Sequence, residues 1–504
     1  MESKDMNFCC GGALHDFMLA GTGSDVGKSV LAAAFCRILK QDGFHPAPFK
    51  AQNMALNSYV TPEGLEIGRA QAVQAEAAGL PCHVDMNPLL LKPTSDCCSQ
   101  VVLNGKPFGN SQAYDYFKKE GREVFRLEVQ AAFDRLAQRY NPIVMEGAGS
   151  IAEINLNDVD IVNMPMARYA GADVFLVADI DRGGVFASVY GSIMLQSPED
   201  RKRIKGIIIN KFRGDARLFE KGVKMMEDIC GVPVLGVVPY YEDIYIEEED
   251  SVVLRQKKSH SEKGRINVAV VRLRQLSNFT DFDLLERDER VHLYYTDNVQ
   301  ELLKADVIIL PGSKNTISDL ADLHANGIAE AVLQAVRKGK TVLGICGGYQ
   351  MMGRLVEDPE GVEGDIPQMP GLGLLPTETV LQGEKVTRQV EFTFRNSQVV
   401  CEGYEIHMGH TRFTDDSAEP LNRLADGTPD GCYVSDKCMG TYVHGILDNA
   451  AFVDFLLSPY VKAHRTVQLN YRQEKERQYD RLADHVRRHV NMELVYKILS
   501  AASD

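Results

Sequence analysis

FMLAGTGSDVGKS, from Phe17 to Ser29, passes from an apolar run into a glycine-rich loop, and the SVLAAAFCRILK that continues to Lys40 has the Ala, Leu and Ile content of a helix with one apolar face. A strand, a loop of this composition and a helix, in that order, present backbone N–H groups and a helix N-terminus to a bound phosphate. Gly21, Thr22, Gly23 and Gly27 belong to the loop, Lys28 is placed to reach the β- and γ-phosphates of a nucleotide, and Ser29 is placed to ligate Mg²⁺. An ordinary glycine turn would account for the glycines but not for the strand and helix around them. The expected fold is α/β, with a parallel sheet whose strands are separated by helices.

The rest of the first half keeps to that pattern. PIVMEG, DVFLVAD, GIIINK and VPVLGVVP are short apolar runs separated by helix-compatible stretches, the βαβ rhythm of a covered parallel sheet. Ligands of open α/β sheets sit at the carboxyl ends of the strands. Those ends carry Glu146, then Asp179 with Asp181 and Arg182 just beyond it, then Asn210. Carboxylates at Glu146 and Asp179 suit Mg²⁺ beside Ser29, and Arg182 suits a phosphoryl group; the plainer role for each carboxylate is a solvated loop or capping residue. In Asn210-Lys211-Phe212-Arg213 the arginine stands where guanine readers place an aspartate, and a guanidinium offers only donors. Adenine, and so ATP, is the expected base.

At 504 residues the chain exceeds what one hydrophobic core supports. Its 55 Lys and Arg against 70 Asp and Glu leave a net charge of -15, which argues against nucleic acid or an anionic membrane as partner. No signal-peptide pattern and no apolar run of about 18 residues occurs, so a soluble, cytoplasmic protein is expected. Eleven cysteines, Cys9-Cys10 and Cys97-Cys98 among them, lack the paired spacing of a zinc site or the density of a disulfide scaffold. Between Tyr240 and Gly264 an acidic run gives way to a basic one with little apolar periodicity, which places a linker at 246–264 between domains 1–245 and 265–504. The second domain repeats the α/β rhythm in INVAVVRL, ADVIILPGS, TVLGICGG and MGTYVHGI, and a helical tail follows from about Val467.

TVLGICGGYQ sets Cys346 directly after an apolar strand, between Gly344 and Gly348, the thiol form of a nucleophile elbow. The glycines allow a tight strand-to-helix turn that exposes the thiol. The Gly347 N–H then helps to form an oxyanion hole, and the helix N-terminus favours a thiolate. His444, ending a late strand in MGTYVHGI, is the candidate proton carrier. An isolated cysteine is more often a buried structural thiol, but one in an elbow is not. His407-Met408-Gly409-His410 lacks a third ligand at suitable spacing and is read as a strand shaping this pocket rather than a metal site.

GxCxGxQ, completed by Gln350, together with the strand bearing His444, resembles class I glutamine amidotransferases, which hydrolyse glutamine through a thioester and release ammonia. In that class the histidine is usually followed by Pro and a Glu that orients it; here Gly445 and Ile446 follow, so no third triad member is local in the sequence. The departure matches the subgroup that joins this domain to a dethiobiotin synthetase-like P-loop domain, and the leading Gly21, one residue before the strict P-loop position held by Thr22, is that branch's variant. FKAQNMALNS from Phe49, EIGRAQ from Glu66, MNPLLLKP from Met86, GYEIHMGHT from Gly403 and GTYVHGI from Gly440 resemble the cobyric acid synthase family, in order along nearly the whole chain.

That resemblance implies a P-loop NTPase-like sheet followed by a flavodoxin-like class I glutamine amidotransferase domain. It implies amidation of the b, d, e and g carboxylates of adenosylcobyrinic acid a,c-diamide, with ATP, Mg²⁺, glutamine and the corrinoid acid as partners. Gly312 and Ser313 of LPGSKNT become the second part of the oxyanion hole, and Lys50, Gln52, Asn53, Asn57, Arg69, Gln71, Lys92, Asp181 and Arg182 become candidates for binding the acid. Nearest among rivals are an amidotransferase for another acid, and a regulatory nucleotide-binding protein with an inactive glutaminase; the latter would not need Cys346, His444, Lys28 and Ser29 together.

Overall fold

The computed structural model describes residues 12–95, 98–112, 119–241, 243–247, 257–364, 366–415, 418–461 and 471–501. Cys9, Cys10, Cys97, residues 248–256 of the expected linker and residues 462–470 at the start of the expected tail lie outside them.

Phe17–Gly21 lies inside a six-stranded parallel sheet in the order Val234–Pro239, Ile204–Phe212, Asp173–Asp179, Phe17–Gly21, Ile143–Glu146, Ala47–Phe49. Successive side chains of a strand point to opposite faces. Phe17 and Leu19 accordingly join Val144, Phe175 and Val177 in one core against helix Lys28–Gln41, while Met18 and Ala20 join Met145, Val174 and Leu176 in another. With helices on both faces neither set meets water, which is why these strands read as unbroken apolar runs. Phe35 of the helix packs edge-on against Phe17, ring centroids 5.4 Å apart, and fixes the loop-bearing helix to the sheet.

The second half has its own six-stranded sheet, ordered Val291–Thr296, Ile266–Val271, Val307–Leu310, Thr341–Ile345, Cys438–Thr441, Cys432–Ser435 and parallel except for the last pair. Beside it a long antiparallel ribbon, Thr377–Phe394 with Cys401–Phe413, pairs with the short strand Val443–His444. Helix Gly347–Met352 follows strand Thr341–Ile345 and sits hard against the neighbouring strand Val307–Leu310: a Cβ on Gly348 would lie 1.9 Å from the Leu310 carbonyl oxygen. Backbone cannot yield there, so Gly348→Ala is expected to destabilise the fold by about 1–3 kcal/mol through overpacking. A denaturant midpoint equal to wild type would mean that the helix does not approach so closely.

The expectation had the second domain running to residue 504, and here the structure differs. Tyr479, Leu482, Ala483 and Val486 of helix Tyr471–His489 join the core of the first sheet with helix Lys28–Gln41, and helix Met492–Leu499 follows them there. Burying a side chain the size of Leu482 or Val486 contributes about 1.5–3 kcal/mol. Arg37 and Asp480, 2.7 Å apart, and the Asn491 N–H to Leu235 carbonyl bond at 2.7 Å bind the tail to the same half. An amphipathic helix declares its apolar face in sequence but not which surface receives it. Among the described residues no helix is long and apolar enough to cross a membrane.

Candidate active sites

One site forms at the carboxyl end of the first sheet. Gly27 is left-handed, with φ 93°, and caps helix Lys28–Gln41; a Cβ there would fall 2.2 Å from Asn210 Nδ2. Asn210 donates to the Val26 carbonyl at 2.9 Å and so braces the loop from a strand two places away in the sheet. Thr22 donates its backbone N–H to Val177. Lys28 folds over the loop, donating to the carbonyls of Gly23 and Gly149 at 2.9 Å each, and a Cβ on Gly21 would crowd its Nζ at 2.7 Å. Burial lowers the Lys28 ammonium to about 8, against the opposing pull of Glu146. A phosphate would supply the charge that this lysine is short of.

Ser29 Oγ donates to Glu146 at 2.7 Å, and the same carboxylate accepts from Lys50 at 2.8 Å and Gln74 at 2.7 Å. Burial by itself would raise Glu146, but Lys50, Ser29 and Gln74 hold its carboxyl below the usual range. A hydroxyl and an ionised carboxylate side by side are hard oxygen donors that fit Mg²⁺ with water completing its shell. Asp179 is engaged elsewhere, accepting from the Asp181 N–H at 2.8 Å and facing Lys211 Nζ at 3.3 Å. Asp181 pairs with Arg213 at 3.0 Å, and Arg182, largely exposed, pairs with Asp25 of the loop at 3.2 Å.

The residues expected to bind the acid do not form one patch. Lys50 is drawn to Glu146, Gln52 accepts from Arg122 at 3.1 Å, and Asn53 donates to Gln71 at 2.9 Å. Arg69 is buried against Glu247 with its guanidinium 4.6 Å over the Tyr59 ring. Asn57 and Lys92 reach the second half: Asn57 accepts from the Phe279 N–H at 3.1 Å, and Lys92, bonded to Ser58 at 2.8 Å and Glu66 at 2.7 Å, lines the cavity that holds Cys346.

That cavity is the second site. Cys346 stands between strand Thr341–Ile345 and helix Gly347–Met352 at φ 52°, ψ -110°, a backbone conformation that residues with side chains rarely adopt and that clusters at functional sites. A Cβ on Gly344 would strike Met352 Sδ at 2.6 Å, and one on Gly347 would come within 2.8 Å of Ser313 N, so the two backbones meet beside the thiol. The Ser313 hydroxyl is taken by Asp319 at 2.6 Å. Gly312 packs on the imidazole: a Cβ there would lie 3.2 Å from His444 Cε1. His407 lines the same cavity, stacked on Tyr442 with centroids 3.7 Å apart, while His410 is exposed; among the described residues no group of three or more His, Cys, Asp or Glu is set to hold a metal.

His444 lines the cavity beside Cys346, whose Sγ lies 3.5 Å from the Ile406 carbonyl oxygen, and the imidazole Nδ1 lies 2.7 Å from Asp281 Oδ2. A carboxylate only accepts, so Nδ1 carries the proton and Nε2 is left for the thiol. The other Asp281 oxygen accepts the Gly445 N–H at 3.1 Å. Burial alone would lower the imidazole, but Asp281 and Cys346 raise it to about 10. Gly445 and Ile446 follow His444 in the sequence, and the carboxylate that meets it, Asp281, lies 163 residues before it in the turn Phe279–Phe282, where its one signal is a carboxylate set among phenylalanines in FTDF.

Residues 17–252 match the CobQ/CobB/MinD/ParA nucleotide binding domain and residues 267–452 the CobB/CobQ-like glutamine amidotransferase domain. The chain is 70% identical over 489 residues to a protein of Phocaeicola vulgatus, spanning 97% of this chain and 99% of that one. It is 69% identical over 488 residues to a protein of Bacteroides fragilis, spanning 97% and 99%, and 59% identical over 488 residues to one of Parabacteroides distasonis, spanning 96% and 98%. All three are named cobyric acid synthase. Identity at that level along the full length of both halves places the chain in the cobyric acid synthase family of ATP-dependent glutamine amidotransferases.

Proposed function

We propose that the chain amidates the b, d, e and g carboxylates of adenosylcobyrinic acid a,c-diamide, using one glutamine and one ATP for each amide. The observation that carries this reading is the buried array of Cys346, His444 and Asp281 opening into a cavity that Lys92 of the nucleotide-binding half helps to wall.

In the glutaminase half, Cys346 Sγ attacks the carboxamide carbon of glutamine. The oxygen that gains charge is held by backbone N–H groups of Gly347 and Ser313. The C–N bond breaks as His444 gives its proton to the departing ammonia, and water then attacks the thioester, releasing glutamate and the thiol. In the other half a carboxylate oxygen of the acid attacks the γ-phosphorus of ATP, ADP leaves, and the acyl phosphate forms. Ammonia attacks its carbonyl carbon and phosphate leaves, giving the amide. Lys28 offsets the charge on the phosphoryl group, and the loop amides hold the phosphates. Ser29 and Glu146 would hold Mg²⁺, which neutralises phosphate charge when bound. Ammonia that escaped to bulk water would be protonated and lost as a nucleophile, so the reading includes a passage between the halves.

Asp281→Asn keeps the shape but removes the charge and offers an N–H where His444 needs an acceptor. Glutamine hydrolysis is expected to fall about 10⁴-fold, the scale seen when a triad aspartate is neutralised. The sign of the pH effect follows from the raised imidazole: activity that needs protonated His444 persists up to its high folded value, and without Asp281 the alkaline limb moves to lower pH. A variant with the wild-type rate and profile would remove Asp281 from the mechanism.

A further inference from the structure

Asn57, Ser58 and Tyr59 belong to the nucleotide-binding half, yet each touches the glutaminase triad's support. The Phe279 N–H donates to Asn57 Oδ1 at 3.1 Å, and the Ser58 N–H donates to Asn278 Oδ1 at 3.2 Å. These reciprocal bonds clasp the left-handed Asn278, φ 52°, and the turn Phe279–Phe282 that bears Asp281. All three side chains at the clasp are buried: Asn57, Ser58 and Asn278 are 0%, 1% and 3% exposed. On its other side the same segment is tied to the oxyanion strand by the Ser277 N–H to Gly312 carbonyl bond at 3.0 Å. Tyr59 reaches the second triad member. Its ring meets Tyr404 edge-on, centroids 4.9 Å apart, and Tyr404 stacks on His444 at 5.4 Å with an interplanar angle of 18°.

We infer that Asn57–Tyr59 is a positioning element supplied by the nucleotide-binding half, which holds Asp281 and the His444 ring in the geometry that glutamine hydrolysis requires. The inference rests on the glutaminase reading above. It also reassigns Asn57, from the acid substrate to the seam between the halves. A carboxylate that sits on a short turn with Cα freedom at a left-handed residue is easily displaced by a fraction of an ångström, and misplacement on that scale costs rate steeply. The groups around the imidazole are Asp281, the Cys346 thiol and the Tyr404 ring, with His407 also within electrostatic reach of His444 and Asp448 within reach of Asp281. Of these, the turn of Asp281 and the Tyr404 ring are what Asn57–Tyr59 holds.

The test uses the full chain and glutamine alone, with released ammonia measured across pH, so that no acid acceptor enters it. Asn57→Ala, Tyr59→Leu and Asn278→Gly, the last tolerating the positive φ, are each expected to lower kcat about 10- to 100-fold with KM for glutamine little changed. They should also move the alkaline limb to lower pH, because a loosened Asp281 supports the imidazolium less. A lower kcat with the limb unmoved would mark a merely structural role and overturn the inference, as would wild-type behaviour in variants that fold. If the wild-type chain releases no ammonia from glutamine at any pH, it is the proposed function that falls.

Discussion

Cys346→Ala is expected to abolish amide formation from glutamine while leaving amide formation from ammonium in place. The side chain lost is, among the described residues lining the cavity, the only thiol that can form the thioester. Removing a nucleophile from an array that works as a unit costs at least about 10⁴-fold, because His444 and the oxyanion donors are left without a reaction to assist. The cavity itself should survive the change, since Cys346 is a small buried residue whose strained backbone is held by Gly344, Gly347 and the Cys346 N–H to Thr441 carbonyl bond at 2.8 Å. Ammonium salts at mildly alkaline pH supply free ammonia to the acyl phosphate directly. Loss of both activities would point to misfolding or to a thiol with some other task, and steady-state rates with the two nitrogen donors separate these outcomes from the expected one.

Lys28→Met makes the opposite cut. Both nitrogen donors should fail, by about 10³-fold or more, because the charge that develops on the transferring phosphoryl group loses its fixed cation in a site that excludes water. Glutamine hydrolysis on its own is not expected to need Lys28, which lies in the other half and donates to the loop carbonyls of Gly23 and Gly149. Amide formation from ammonium that persisted at the wild-type rate in this variant would mean that the phosphate loop does not activate the acid.

The two motifs that set the fold were readable because each is contiguous. Their glycines stand where another segment comes too close for a side chain, Gly27 at Asn210 and Gly348 at Leu310, and a short sequence can carry that information. Parallel strands covered on both faces also announce themselves, as IVME and FLVAD do. What could not be read depends on which distant segments meet. Asp281 lies far from His444 in sequence, and nothing local marks FTDF as the turn that will face it. Asn57 and Lys92 carry the amides and cations that an acid substrate would want, and that reading was reasonable from chemistry alone. Only the docking of the two halves turns Asn57 to Phe279 and sets Lys92 in the wall of the Cys346 cavity. Asp179 ends its strand as expected, yet Lys211 and Arg182 claim it.

The central claim, that one chain moves the amide nitrogen of glutamine onto a corrinoid acid at the expense of ATP, is tested most directly by mass spectrometry of adenosylcobyrinic acid a,c-diamide incubated with the protein, ATP, Mg²⁺ and glutamine isotopically labelled in its amide nitrogen. Stepwise replacement of carboxyl by labelled carboxamide at b, d, e and g is expected, with one ADP and one glutamate formed per step. A corrinoid of unchanged mass, while ATP and glutamine are both consumed, would contradict it.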